Sequence, residues 1–183
     1  MTRYASLAAL LVLSACGGTS AAAPADSTSE ASAPLALPNQ AEAEGYVTGG
    51  QPTEADLRAA ADAGFETVVS LRTEAEPGFE AERTLVEELG MSFVSLPIAG
   101  ADGLTPENTA AFDRLLSSAA PASTIVHCGS GNRAGALFAL RAFMTNHSVE
   151  ASMELGRSAG LTGLAGAVEE RLSALCAADD ACP

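Results

Sequence analysis

The segment Val126-His127-Cys128-Gly129-Ser130-Gly131-Asn132-Arg133 gathers the residue types that chemistry on an anion requires. A cysteine is a strong nucleophile as its thiolate, which a free cysteine forms only near a pKa of about 8.5 unless positive surroundings favour it. Gly129 and Gly131 permit tight, positive-φ turns and keep side chains away, so that successive backbone N–H groups converge on one point. A helix beginning directly after them adds the positive end of its dipole at the same place. Arg133, at the far end, returns a planar guanidinium suited to gripping two oxygens at once. The combination predicts a pocket in which Cys128 attacks while Gly129, Ser130, Gly131 and Asn132 contribute amides to the bound anion. His127 points to the other side of its strand and fixes the loop through a hydrogen bond rather than moving protons itself. The bland alternative is a buried cysteine beside a glycine turn. It leaves the unbroken order of strand, His-Cys, Gly-x-Gly, Arg and helix to accident.

Such a loop needs a scaffold, and the flanking periodicities describe one. Thr53 followed three residues later by Asp56 has the pattern of a helix cap, and the helix it starts closes at Gly64. Phe65 to Leu71 then reads as a buried strand. Glu80 to Leu89 is helical and stops at Gly90, before a strand over Met91 to Leu96. Thr105-Pro106 opens a helix with Phe112, Leu115, Leu116 and Ala119 on one face. Ser123 to Val126 is a short apolar strand. Arg133 to about Met144 is a helix whose small residues Ala134, Gly135, Ala136 and Ala139 suit close packing on a sheet, and Ser148 and Thr162 start two final helices. Helices alternating with short apolar strands predict an α/β fold with a mainly parallel sheet flanked by helices. In a parallel sheet Arg72 ends a strand on the same edge as Cys128. It is then either a second anion contact or the partner of Glu74 or Glu76 in an ion pair. Gln51 is a further candidate for the pocket mouth, and the acidic clusters around Glu74, Glu76 and Glu87-Glu88 read as solvated faces.

From about Tyr46 to Leu175 the chain resembles the beta-lactamase-hydrolase-like phosphatases, a bacterial branch related to dual-specificity protein tyrosine phosphatases. The resemblance rests on Thr48-Gly49-Gly50-Gln51-Pro52-Thr53, Gly64-Phe65 through Ser70-Leu71-Arg72, Leu96-Pro97-Ile98, and His127-Cys128 through Gly131-Asn132-Arg133. It implies a cysteine-dependent phosphatase fold in which Cys128 attacks phosphorus, Arg133 and loop amides hold the equatorial oxygens, and water hydrolyses the phosphocysteine. Three positions depart from the larger superfamily. Four residues, not five, separate Cys128 from Arg133, a short cradle similar to that of rhodanese sulfurtransferases, which carry a persulfide on the cysteine. Ala134 follows Arg133 where a Ser or Thr often assists departure of the thiolate, leaving Ser130 as the nearby hydroxyl. Gly100 stands at the usual position of the aspartate acid. Asp102, two residues on and flanked by Gly100 and Gly103, is the candidate general acid, with a solvated loop aspartate as its alternative. A phosphatase, a sulfurtransferase and a noncatalytic anion-binding module therefore all stand as readings.

Composition bounds the rest. In 183 residues there are nine Arg, no Lys and 23 acidic residues, a net charge of -14, which disfavours nucleic acid as a partner. A 48% hydrophobic fraction with 17% charged residues belongs to a chain that folds around one core. With only His127 and His147, no metal-ligand spacing arises, and no cofactor is called for. The expected ligand is a phosphorylated or sulfur-containing small anion or a phosphoprotein, and nothing in the sequence defines an oligomeric state.

Residues 1–15 carry one positive charge, Arg3, and an apolar run too short to span a bilayer. They close in Leu13-Ser14-Ala15-Cys16-Gly17, which resembles a bacterial lipobox. That resemblance implies a lipid on Cys16 and a periplasmic protein anchored in a membrane, and Gly17 after the lipidated position favours the outer one. An ordinary secretory peptide is the alternative. Residues 16–44 read as a tether, and roughly 28 coil residues span on the order of 30 Å. Residues 45–183 are then the phosphatase-like domain. Cys176 and Cys182 are expected to form a local disulfide in an exported chain, the alternative being a resolving role for Cys176.

Overall fold

A computed structural model describes residues 35–178, 180 and 182. Its strands are β1 (Ala41–Ala43), β2 (Tyr46–Gly49), β3 (Thr67–Ser70), β4 (Ser92–Ser95) and β5 (Thr124–His127). They form one sheet in the order β1-β2-β5-β3-β4, parallel except for the antiparallel β1-β2 hairpin at one edge. The helices are α1 (Glu54–Asp62), α2 (Phe79–Glu88), α3 (Pro106–Ser118), α4 (Asn132–Asn146), α5 (Val149–Ser158) and α6 (Ala165–Ala177). The α/β prediction holds, and the mostly parallel sheet is covered on both faces.

Strand alternation sorts the core into two layers. Val68 and Ile125 pack with Leu57 of α1 and Val86 of α2. Val69 and Val126 face the other way, against Phe112 of α3 and Leu137 and Phe138 of α4. β5 lies between β2 and β3, and all four of its residues are buried. Parallel pairing aligns Gly49, Ser70 and His127, so the chain leaves β2, β3 and β5 at one edge, where open α/β sheets place their sites.

The helix starts follow the predicted capping chemistry. Thr53 and Asp56 form a reciprocal capping box, Thr105 accepts from the Asn108 amide ahead of Pro106, and Ser148 caps α5 through the Ala151 amide. Thr162 instead lies in the turn before α6.

Two expectations change. The folded part begins ahead of residue 45, because β1 lies within the stretch expected to be tether and Leu37 and Ala43 are buried. The polar, alanine-rich composition of that stretch hides a hairpin whose turn residues, Glu44 and Gly45, both take positive φ. The small residues of α4 do not all serve the sheet. A Cβ on Gly135 would stand 2.2 Å from the Leu161 nitrogen, and one on Gly156 would stand 2.7 Å from the Ala139 Cβ. Gly135 and Ala139 thus let α5 and the turn behind it approach, and α4 is buried nearly all round as the central helix.

Candidate active site

The alternation of β5 continues into the loop, sending His127 to the α2 face and Cys128 to the α4 face. Cys128 is a free thiol, 1% exposed, and its N–H donates to the Gly49 carbonyl at 3.2 Å. Gly129 and Ser130 then emerge at the surface. There the chain runs antiparallel to residues 49–51, with the Gln51 N–H donating to the Gly129 carbonyl at 3.4 Å and Asn39 Nδ2 to the Ser130 carbonyl at 3.2 Å. Gly131, at φ +85°, is the N-cap of α4, and no side chain caps it. The first-turn amides of Asn132, Arg133 and Ala134 therefore have no acceptor within the helix. Gly129 does not use the left-handed region. A Cβ there would lie 3.4 Å from Arg133 Nη2 and 3.7 Å from Glu76 Oε2, so the missing side chain keeps the approach to that ion pair clear.

Arg133 reaches the loop after β3, and its partner there was not evident from the sequence. Nη1 meets Glu76 Oε1 at 2.6 Å and Nη2 meets Oε2 at 2.8 Å, a bidentate pair. Nη1 also donates to the carbonyls of Ile98 at 2.9 Å and Leu71 at 3.2 Å. The Arg133 guanidinium has its pKa raised, first by the hydrogen bond to Glu76, against the opposing effect of burial, and then by electrostatic interaction with Cys128 and Glu76. The reciprocal effect holds Glu76 at a pKa of about 2, chiefly through the Arg133 hydrogen bond, with help from the Thr73 amide. A sulfur, a helix N-terminus and an immobilised guanidinium meet at one sheet edge, which is the arrangement that oxyanion binding requires.

A protein-family model described as "DSP-PTPase phosphatase fused to NAD+ Kinase" matches residues 25–170. The chain belongs to this phosphatase family. Among curated proteins no relative matches it. Its fold is similar to that of a candidate phosphatase from Neisseria meningitidis Z2491, at 23% identity and a TM-score of 0.60, covering 70% of this chain and 92% of that one. A candidate DUF442 phosphatase from Shewanella putrefaciens CN-32 aligns at 20% identity and a TM-score of 0.59, over 76% and 93% of the two chains. The catalytic domain of the S. cerevisiae PP-IP phosphatase SIW14 aligns at 15% identity and 0.58, over 76% and 86%.

Against this DSP-PTPase background the other predicted residues separate. Arg72 is on the expected edge but faces inward, 1% exposed, with Nη1 2.9 Å from Glu82 Oε2, Nη2 donating to the Pro77 carbonyl and Nε 3.5 Å from Glu76 Oε2. It is the ion-pair reading that describes it, and an anion at the loop mouth has no access to it. Asn132 turns its side-chain oxygen away from the loop, where it accepts from the amides of Thr162 and Leu164 and braces the entry to α6. Only its backbone faces the helix N-terminus. Asp102 is exposed and lines a groove of about 700 Å³ with Pro106, Leu140, Phe143 and residues of α6, a groove that Cys128 does not line. Gln51 joins the site through its backbone. Cys176 and Cys182 are bonded to each other, with Cα atoms 5.3 Å apart, leaving Cys176 no resolving role. Cys16 lies outside the described residues.

Glu76 and Glu82 are the residues that sequence reasoning misses. Glu76 sits among exposed acidic neighbours in the loop after β3, and nothing local distinguishes it from Glu74. Glu82 does leave a trace, since it shares the buried stripe of α2 with Phe79 and Val86, where a carboxylate is costly unless paired.

Proposed function

We propose that the protein is a cysteine-dependent phosphatase that hydrolyses phosphomonoesters through a phosphocysteine at Cys128. The observation that carries this reading is that the free thiol of Cys128, the uncapped N-terminus of α4 and the Glu76-held guanidinium of Arg133 share one loop at one sheet edge. In the first step the thiolate attacks phosphorus, the S–P bond forms, the bond to the leaving oxygen breaks, and that oxygen takes up a proton. In the second, water attacks phosphorus, the S–P bond breaks, and inorganic phosphate leaves as the thiolate returns. Arg133 and the amides of Gly129, Ser130, Gly131 and Asn132 hold the three non-bridging oxygens, whose charge builds in both transition states.

Asp102 is proposed as the proton donor. In that role the turn between Ile98 and Leu104 closes over the loop from a base already tied to Arg133 by the Ile98 carbonyl. The Asp102→Asn variant is expected to slow turnover and remove the basic limb of the pH–rate profile, and an unchanged profile eliminates it.

The sequence resemblance also supports a beta-lactamase-hydrolase-like branch within the family. Residues 1–15 are proposed as a lipoprotein signal, with the domain held by a Cys16 lipid in the periplasm at the outer membrane. The Cys176–Cys182 disulfide supports an oxidising compartment, and the family match begins at residue 25, beyond the proposed signal. No helix among the described residues is long and apolar enough to cross a membrane. The substrate is proposed to be a phosphorylated small molecule or phosphoprotein.

The Cys–Arg spacing keeps a sulfurtransferase as the second reading. The deciding experiment sets an aryl phosphate against thiosulfate with cyanide, using wild type and Cys128→Ser. Phosphate release that the variant abolishes is the expected result. Thiocyanate formation supports the second reading, and vanadate binding without either product supports an anion-binding module.

A further inference from the structure

Behind the active loop lies a second set of ionisable groups, Arg72, Glu82 and His127, all buried. His127 is 0% exposed, and its Nε2 lies 2.7 Å from Glu82 Oε1, a contact off the line of a hydrogen bond. The other carboxylate oxygen of Glu82 holds Arg72. On its opposite side the His127 ring places Nδ1 3.3 Å from the Cys128 carbonyl. Arg72 also reaches Glu76, the partner of Arg133. One buried guanidinium therefore touches two arms, hydrogen-bonded to Glu82 and in charge contact with Glu76. The first runs through Glu76 to Arg133, and the second through Glu82 to His127 and the backbone of Cys128.

Burying three ionisable side chains is expensive, and an apolar pair would fill the space between α2 and the sheet at no such cost. What the ionic arrangement adds is direction. Glu82 sets the rotation of the imidazole about its strand, and the imidazole sets the carbonyl of the residue that carries the sulfur. We propose that Glu82, held by Arg72, is a positioning residue that locks His127 and through it the backbone at Cys128. This rests on the reading of Cys128 as the nucleophile.

The test follows the thiol itself, so that it does not depend on the substrate. In the full 183-residue chain, alkylation of Cys128 by iodoacetamide is timed by peptide-resolved mass spectrometry, with thermal melting as the control for folding and aryl phosphate turnover measured alongside. Glu82→Gln is expected to slow Cys128 alkylation about tenfold, a part of what a misplacement of a reacting group by roughly 1 Å costs. Turnover is expected to fall in kcat with KM little changed, and Glu82→Asp, which keeps the charge, is expected to recover part of both. Should Glu82→Gln fail to fold, His127→Asn leaves the Arg72–Glu82 pair intact and is expected to show the same loss. Folded variants that alkylate at the wild-type rate overturn the positioning role even if phosphatase activity is present. A wild type without phosphatase activity whose Cys128 is nonetheless slowed by Glu82→Gln removes the phosphatase reading and leaves the positioning role standing.

Discussion

Arg133 can hold an oxyanion in one place only if its own guanidinium is held, and Glu76 does this from outside the loop. The pair uses both terminal nitrogens in a fork that fixes the plane of the guanidinium. Replacing Glu76 by Gln is expected to lower kcat/KM for an aryl phosphate roughly ten- to a hundredfold, the factor that corresponds to losing a charge-assisted hydrogen bond of about 1.5–3 kcal/mol. Arg133→Lys is expected to cost more, roughly a hundred- to a thousandfold in kcat, because a point charge replaces the fork that grips two oxygens. Glu76 also couples stability to pH. Its carboxyl is more acidic folded, at about 2, than at the ordinary 4.5, so the ionised pair stabilises the fold above pH 4.5 and that contribution disappears as pH falls toward about 2. With 28% of its side chain exposed, water tempers the size of the effect. Melting temperatures of wild type and Glu76→Gln should therefore differ at neutral pH and converge over that acidic interval.

Among the elements, α4 has the largest part. Its N-terminus faces the loop, its flank faces the sheet, and its glycine-bearing side accepts α5, so there is no solvent-facing stripe on which an error can be absorbed. Gly135→Val places branched carbons where the Leu161 backbone already lies, and it is expected to leave the protein insoluble or to lower its melting temperature sharply. An exposed counterpart provides the scale. Thr53→Ala removes the capping box of α1 and is expected to cost about 1 kcal/mol, measurable by urea denaturation, without altering activity. A comparable gap between the two variants in activity as well as stability is not expected, since Thr53 supports α1 alone.

At the scale of the whole molecule, charge and covalent structure matter. A net charge of -14 repels an anionic substrate until it reaches the field of Arg133. Raising ionic strength from low to physiological values screens that repulsion, and kcat/KM for an aryl phosphate is expected to rise. A fall would show that local positive potential dominates the encounter. The Cys176–Cys182 disulfide closes a small loop at the end of α6, so replacing both cysteines by serine is expected to cost about 2 kcal/mol and leave Cys128 alkylation unchanged.

Much of this organisation is local and so was legible in the sequence. The caps at Thr53, Thr105 and Ser148 act within one turn, strand alternation sets Cys128 and His127 on opposite faces, and Gly131 stands where only a residue free of Cβ adopts positive φ easily. The fold class and the Cys128–Arg133 loop followed from these short-range constraints. Partnerships made across the sheet did not. Asn132 braces α6, Glu76 reaches Arg133 and Glu82 reaches His127 because chain segments distant in sequence pack together, and Arg72 faces inward because α2 folds back over the end of β3 and brings Glu82 onto it. Residue type and spacing determine what a side chain is able to do, whereas its partner depends on long-range packing, which only the tertiary structure decides.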